Sequence, residues 1–119
     1  MFKFEKLDVW HKALDYADLI YNVSRVFPPE ERFGLTRQLR SSAVSVSSNI
    51  AEGSSRSSDT DLARFIEIAY GSLLESVSEL HIAKKQRYLK TDAFVESYQK
   101  AETLAKMLSG FRRNLKKRF

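Results

Sequence analysis

Few side chains in this sequence could carry reaction chemistry, and their spacing limits what that chemistry could be. There are two histidines, His11 and His81, and no cysteine. Asp8, His11 and Asp15 fall at helical spacing on one face, where they could in principle ligate a metal. The simpler reading is a solvated turn with a histidine near a capping aspartate. Glu75 and Glu79, at i and i+4, form a carboxylate pair, but such pairs more often face solvent or meet a partner's arginine. A di-iron bundle needs two Glu-x-x-His motifs and two further inward carboxylates, and no Glu-x-x-His occurs. The serines between Ser41 and Ser58 lack a positioned histidine base, which leaves a serine hydrolase remote. Four ungrouped glycines build no phosphate-cradling loop, and without cysteine there is no disulfide, thiolate metal site or thiol nucleophile. The expectation is a protein that is not an enzyme and takes no cofactor.

The cations are more informative. The net charge is +5, a lean toward an anionic partner. No acid occurs between Arg32 and Ala51, where Arg37 and Arg40 lie, and none follows Thr103. How these cations group depends on the elements that carry them.

Apolar rows at spacings of three and four run through most of the 119 residues, and no strand alternation or hairpin signal appears. The first helix is expected over 8–27, with Asp8 as its cap and Val9, Ala13, Tyr16, Ile20, Val23 and Phe27 on its inner face; Trp10, Leu14, Ala17 and Tyr21 widen that face. Pro28-Pro29 stops it. The second, 35–53, has an apolar row of Leu39, Ala43, Val46 and Ile50 beside a small or hydrogen-bonding row of Gln38, Ser42, Ser45, Asn49 and Glu52. So much serine lowers intrinsic propensity, so packing must hold this helix, and small side chains admit close neighbours. Gly53 is expected to supply a left-handed stop.

The third helix, 58–88, opens with Ser58 and Asp61 as a capping pair. Its inner row is Leu62, Ile66, Ala69, Leu73, Ser76, Leu80 and Ala83. A second row with Tyr70, Leu74, Val77 and Tyr88 implies a second neighbour, in the same chain or in another subunit. Gly71 in mid-helix implies a close backbone approach. The fourth helix, 91–117, is capped by Thr91 and presents Phe94, Tyr98, Ala101, Ala105, Leu108, Phe111 and Leu115. Four long amphipathic helices with short connectors give one all-α domain over 1–119, an up-down-up-down antiparallel four-helix bundle.

That topology sorts the cations into two ends. Arg25, Arg32, Lys84, Lys85, Arg87 and Lys90 gather at one; Lys3, Lys6, Arg56, Arg112, Arg113, Lys116, Lys117 and Arg118 gather at the other. Such clusters could track phosphates, with Tyr88 or Phe119 stacking on unpaired bases. Helix ends are also commonly charged for solubility, and on the residues alone the two readings stand level. The charged N-terminus lacks a signal peptide's apolar stretch, and no apolar run is long enough to span a bilayer. The expectation is cytoplasmic, with no membrane partner.

Phe33-Gly34-Leu35-Thr36-Arg37-Gln38-Leu39-Arg40, running into Ser45-Val46-Ser47-Ser48-Asn49-Ile50-Ala51-Glu52-Gly53, resembles the signature of the 23S rRNA intervening-sequence proteins. Leu7-Asp8-Val9-Trp10-His11-Lys12-Ala13 and Tyr70-Gly71-Ser72-Leu73-Leu74-Glu75 are similar to the same family. Two departures show: the family often has a second arginine where Ser41 stands and a proline where Ser47 stands. The first weakens a basic site on the second helix, and the second should leave that helix straighter. The resemblance implies a bacterial cytoplasmic four-helix bundle that assembles into a ring, typically a homopentamer. It also implies kinship with the accessory bundle protein of diversity-generating retroelements, a basic ring that engages nucleic acid and a reverse transcriptase.

The leading expectation is an oligomeric module that binds structured RNA or DNA through basic surfaces. Its candidate residues are Arg37, Arg40, Arg56, Lys84, Lys85, Arg87, Arg112, Arg113, Lys116, Lys117 and Arg118. Tyr70, Leu74 and Val77 are the expected subunit seam; Gln38, Ser45, Asn49, Glu52, Gly53 and Gly71 are the signature and packing positions. The alternative is a protein-interaction scaffold that does not touch nucleic acid.

Overall fold

The apolar rows build four helices: α1 (Asp8–Ser24), α2 (Leu35–Ser54), α3 (Asp59–Lys85) and α4 (Thr91–Lys116), with short 3-10 turns at Lys3–Lys6 and Pro29–Glu31. The computed structural model describes residues 1–119. Each helix packs on two others: α1 on α2 and α4, and α3 on α2 and α4, leaving α1 opposite α3 and α2 opposite α4. Short connectors make successive helices antiparallel, so the fold is the expected up-down-up-down four-helix bundle. Its long dimension of 45 Å is close to the roughly 40 Å that a helix the length of α3 spans at 1.5 Å per residue.

The expected core is largely the observed one. Leu39, Ala43, Val46 and Ile50 of α2 are fully buried, as are Ile66, Ala69, Leu73, Ser76, Leu80 and Ala83 of α3. On α4 the buried set is Phe94, Ser97, Ala101, Leu104, Leu108 and Leu115. Tyr98, expected inward, is exposed, and Ser97 takes its place beneath the helix, its hydroxyl donating to the Ala93 carbonyl at 2.8 Å. A small residue at the interface leaves room there that a tyrosine would overfill.

Helix α2 is held by packing and polar contacts with α3, the most extensive helix pair in the bundle. Ser42 Oγ donates to Glu79 Oε1 at 2.7 Å, and Ser45 and Ser72 share a hydroxyl bond at 3.0 Å. Asn49 Nδ2 donates to both the carbonyl and the hydroxyl of Ser45. Gly53 lies where a Cβ would come within 2.7 Å of Phe65 Cβ, so this glycine permits the close approach of α2 to α3.

Several local expectations are corrected. Gly53 does not end α2 in a left-handed conformation; the helix continues to Ser54 and no glycine has positive φ. Gly71 faces open space, with nothing within 4 Å of a built Cβ, so no helix of this chain makes the close approach expected there. Leu7 precedes α1 in extended conformation and Asp8 is its first helical residue, while Lys90 rather than Thr91 is the N-terminal flank of α4. Helix α1 ends at Ser24, whose hydroxyl binds the Ile20 carbonyl at 2.7 Å, and Phe27 reaches the core from the following turn. Ser58 caps α3 as expected, accepting from the Asp61 N–H at 3.1 Å.

Helix α3 stops at Lys85, short of Tyr88, through a turn that the sequence does not advertise with a glycine. The Tyr88 N–H reaches back to the Ala83 carbonyl and the Arg87 N–H to that of Lys84, each at 3.0 Å, with Arg87 at φ 62°. This is the Schellman closure with an arginine in the left-handed position.

Candidate nucleic-acid interface

Of the clustered cations, the far end of the bundle holds three that are neutralised. Arg118 makes a two-pronged contact with Asp59 at 2.9 Å, Arg112 pairs with Glu67 at 2.7 Å, and Arg56 pairs with Glu52 at 3.2 Å while lying 4.7 Å over the Phe65 ring. These contacts tie the tail to the α2–α3 corner. Arg113, Lys116 and Lys117 form no ion pair there. Arg113 and Lys116 flank a groove between α3 and α4 floored by Ile66, Tyr70 and Leu108.

The opposite end is different. None of Arg25, Arg32, Arg37, Arg40, Lys84, Lys85, Arg87 or Lys90 pairs with a carboxylate. Arg32, Arg37 and Arg40 line a groove of about 370 Å³ with Tyr21, Phe33, Thr36 and Ser41, and no acid lies along it. The Arg32 guanidinium stands 5.1 Å from the Phe33 ring centre and that of Arg40 stands 4.7 Å from the Tyr21 ring. Phe33 is 75% exposed. Guanidinium groups interleaved with aromatic faces can neutralise phosphates and stack on bases together.

Local folding explains the geometry. Arg40 Nε donates to Ser24 Oγ at 2.8 Å and Nη2 to the Tyr21 carbonyl at 3.3 Å. It places a cation on the C-terminal end of α1, where helix carbonyls lack partners. Glu31 anchors the connector from its other side: Oε1 accepts the Leu35 N–H at 3.0 Å and Oε2 accepts the Tyr88 hydroxyl at 3.1 Å. The carboxylate nearest the groove in sequence is thereby turned inward. Burial, then the Glu31 and Glu30 carboxylates, push the Tyr88 phenol above its ordinary pKa.

Tyr88 is therefore not the free stacking platform expected. Its hydroxyl is held by Glu31 and its ring packs tilted against Phe27 at 5.9 Å. The aromatics that do flank cations, Phe33 and Tyr21, were missed. The apolar row of α1 puts Tyr21 on its inner face, yet it is exposed, and Phe33 reads as a connector residue; the signal is its position beside Arg32 in an acid-free segment. Lys84, Lys85, Arg87 and Lys90 surround the α3–α4 turn at the same end, with Lys84 Nζ 4.5 Å over Phe94.

The remaining singled-out residues divide. Tyr70 and Val77 pack partly against the chain's own core, whereas Leu74 is 50% exposed. Ser45 and Gly53 take part in the α2–α3 contact and Asn49 braces Ser45 from within α2, while Gln38 and Glu52 are exposed. His11 Nε2 donates to the Glu5 carbonyl, and His81 packs edge-on to Phe94 and Tyr98. No three histidine or carboxylate side chains converge on a metal-sized site. Glu79, expected to face solvent or a partner, is buried at 8% exposure. No helix is long and apolar enough to cross a membrane.

An antiparallel four-helix bundle with a serine-lined α2–α3 seam and cationic ends is the class these features define. The family model of the 23S rRNA-intervening sequence proteins matches residues 5–110, and the chain belongs to that family. A crystal structure of a protein of unknown function from the S23 ribosomal protein family of Bacteroides thetaiotaomicron has the same fold, with TM-score 0.80 and 21% identity over 87% of this chain and 97% of that one. No curated protein matches the chain.

Proposed function

We propose that this protein is a non-enzymatic, oligomeric module that binds structured RNA or DNA. The observation that carries the reading is the acid-free groove of Arg32, Arg37 and Arg40 with Phe33 and Tyr21 beside it. Cations at a groove lip contact phosphates whatever the sequence, and the exposed Phe33 ring offers a face to an unpaired base. The turn cations Lys84, Lys85, Arg87 and Lys90 extend the charge at that end of the bundle. Arg113, Lys116 and Lys117 form a lesser candidate surface at the other end. The resemblance drawn from the sequence suggests a homopentamer as the oligomer, and the half-exposed Leu74 supports a seam along the outer face of α3.

Binding to a structured RNA should weaken steeply with salt, because each neutralised phosphate releases counterions. Arg32→Gln and Arg37→Gln should each lower affinity across all sequences and reduce the salt slope by about 1. Arg40 is left intact in this test because it also holds α1. Unchanged affinity and slope in the double variant would refute the groove. Leu74→Asp and Tyr70→Asp should yield smaller particles of unchanged helicity by light scattering.

A scaffold reading is favoured by the exposure of Val26 and Phe33 at the same end. Retention of a protein partner after nuclease treatment, with no RNA affinity at low salt, would put that reading first.

A further inference from the structure

The bundle carries a second, chemically different groove. Between α2 and α3 runs a cleft of about 560 Å³, lined by Arg37, Gln38, Ser41, Ser42, Ser45, Ser72, Glu75 and Glu79 without one apolar side chain. A water's share of liquid volume is about 30 Å³, so this space admits a polar group of several atoms. The cleft exists because its walls are serines: longer side chains at these positions would fill it.

At its floor, Glu79 is more than nine-tenths buried. One carboxylate oxygen accepts the Ser42 hydroxyl at 2.7 Å, and the other opens to the cleft, where no side chain of this chain meets it. Glu75 lies one turn away on the same wall, and neither acid is ion-paired. A buried carboxylate without a cation is costly; accordingly, burial pushes the Glu79 carboxyl above its ordinary pKa, Ser42 pulls it back, and Glu75 pushes it up further. Arg37, at the lip, does not fill the role, since it pairs with neither acid. Serine hydroxyls complete the walls. Asn49 donates to Ser45 Oγ, and the Ser45 and Ser72 hydroxyls share one hydrogen bond at 3.0 Å.

We propose that the α2–α3 cleft is a guanidinium-binding site, with Glu79 and Glu75 as the anionic partners and the serine hydroxyls as secondary acceptors. A planar fork of five N–H donors matches two carboxylates one turn apart and still has donors for the hydroxyls. An ammonium ion, compact and more strongly hydrated, fits a wide hydroxyl-lined cleft less well. The guanidinium comes either from a free small molecule or from an arginine of a second copy of this chain. The site adjoins the cationic groove, with which it shares Arg37 and Ser41 at its lip, but its acids belong to the cleft alone, and it stands whether or not the protein binds nucleic acid.

The test is a titration of the full chain with methylguanidinium chloride, followed by backbone amide NMR, against tetramethylammonium chloride at equal ionic strength. Saturable shifts confined to Ser42, Ser45, Ser72 and Glu79, seen with methylguanidinium alone, are expected. Glu79→Gln and the milder, surface-side Glu75→Gln should each weaken them about tenfold, as loss of a charged hydrogen-bond partner does. Sedimentation resolves the source. If methylguanidinium converts larger particles to monomers, the native guanidinium is the second copy's arginine; if particle size is unchanged, it is a small molecule. Absence of saturable shifts at the cleft, or equal affinity in both variants, overturns the proposal.

Discussion

Tyr16 and Ser76 join the two helices that lie diagonally across the bundle. Their hydroxyls are 2.7 Å apart, and Ser76 Oγ already donates to the Leu73 carbonyl at 2.6 Å. The shared proton is therefore the tyrosine's, and Ser76 accepts it. The α1 and α3 backbones are not neighbours, so this bond ties together two helices that meet only through side chains in the core.

Tyr16→Phe should lower stability by about 1–2 kcal/mol, because Ser76 keeps a buried lone pair without its donor. Urea unfolding measures this; an unchanged midpoint would mean the bond contributes nothing net.

Alkaline stability should depend on the same phenol. Burial first, with the Glu79 carboxylate adding, raises the Tyr16 pKa from 10.0 to about 12. The unfolded chain then loses the proton before the folded one, so this contribution is intact below pH 10 and declines as pH rises toward 12. The loss is roughly 2–3 kcal/mol and should be absent from Tyr16→Phe.

Two glycines in helices should respond oppositely to alanine. Gly53→Ala places a Cβ 2.7 Å from Phe65 Cβ and 3.1 Å from Leu62 Cδ1, and overpacking of this kind costs about 1–3 kcal/mol. Gly71→Ala meets nothing and should gain about 1 kcal/mol of helix propensity in the monomer. Should Gly71→Ala instead be destabilising and dissociate the particle, the open side of α3 is covered by another subunit.

These two residues also show what was legible in the sequence. Period and connector length gave the helices, their order and most of the core, because burial of one face is written in the spacing of apolar residues. The α2–α3 seam was legible as a row of small and polar residues. A glycine's partner was not: Gly53 and Gly71 look alike in sequence, and only the placement of Phe65 separates them. The paired cations were equally invisible, since Arg112 meets Glu67 and Arg118 meets Asp59 across long sequence distances. Pooling cations by bundle end therefore overstated the tail and understated the Arg32–Arg37–Arg40 groove.

Acid should stabilise the α2–α3 seam. The Glu79 carboxyl has its pKa raised by burial and by Glu75, with Ser42 opposing. A group raised in the folded state contributes fully below its unfolded pKa and loses that contribution as pH rises through the folded value. At neutral pH the ionised Glu79 is therefore a burden that protonation relieves. Glu79→Gln should be more stable than the parent at pH 7, and the difference should shrink as pH falls toward the ordinary carboxylate range. Thermal unfolding across that range measures it; a variant less stable than the parent at pH 7 would show that the Ser42 bond to the ionised carboxylate outweighs the cost of its burial.

Arg87 separates stability from function. At φ 62° it holds the left-handed position of the turn that closes α3, which costs a residue with a Cβ on the order of 1 kcal/mol relative to glycine. Arg87→Gly should therefore raise the unfolding free energy by roughly 0.5–1 kcal/mol, since the glycine's more flexible unfolded chain offsets part of the relief. The same change removes one unpaired cation from the α3–α4 turn. If that turn contacts phosphates, the variant binds RNA more weakly and its salt slope falls by about 1. A variant that gains stability and keeps full affinity would show that the left-handed arginine serves neither the fold nor the interface. A variant that loses affinity while gaining stability identifies Arg87 as strain retained for binding.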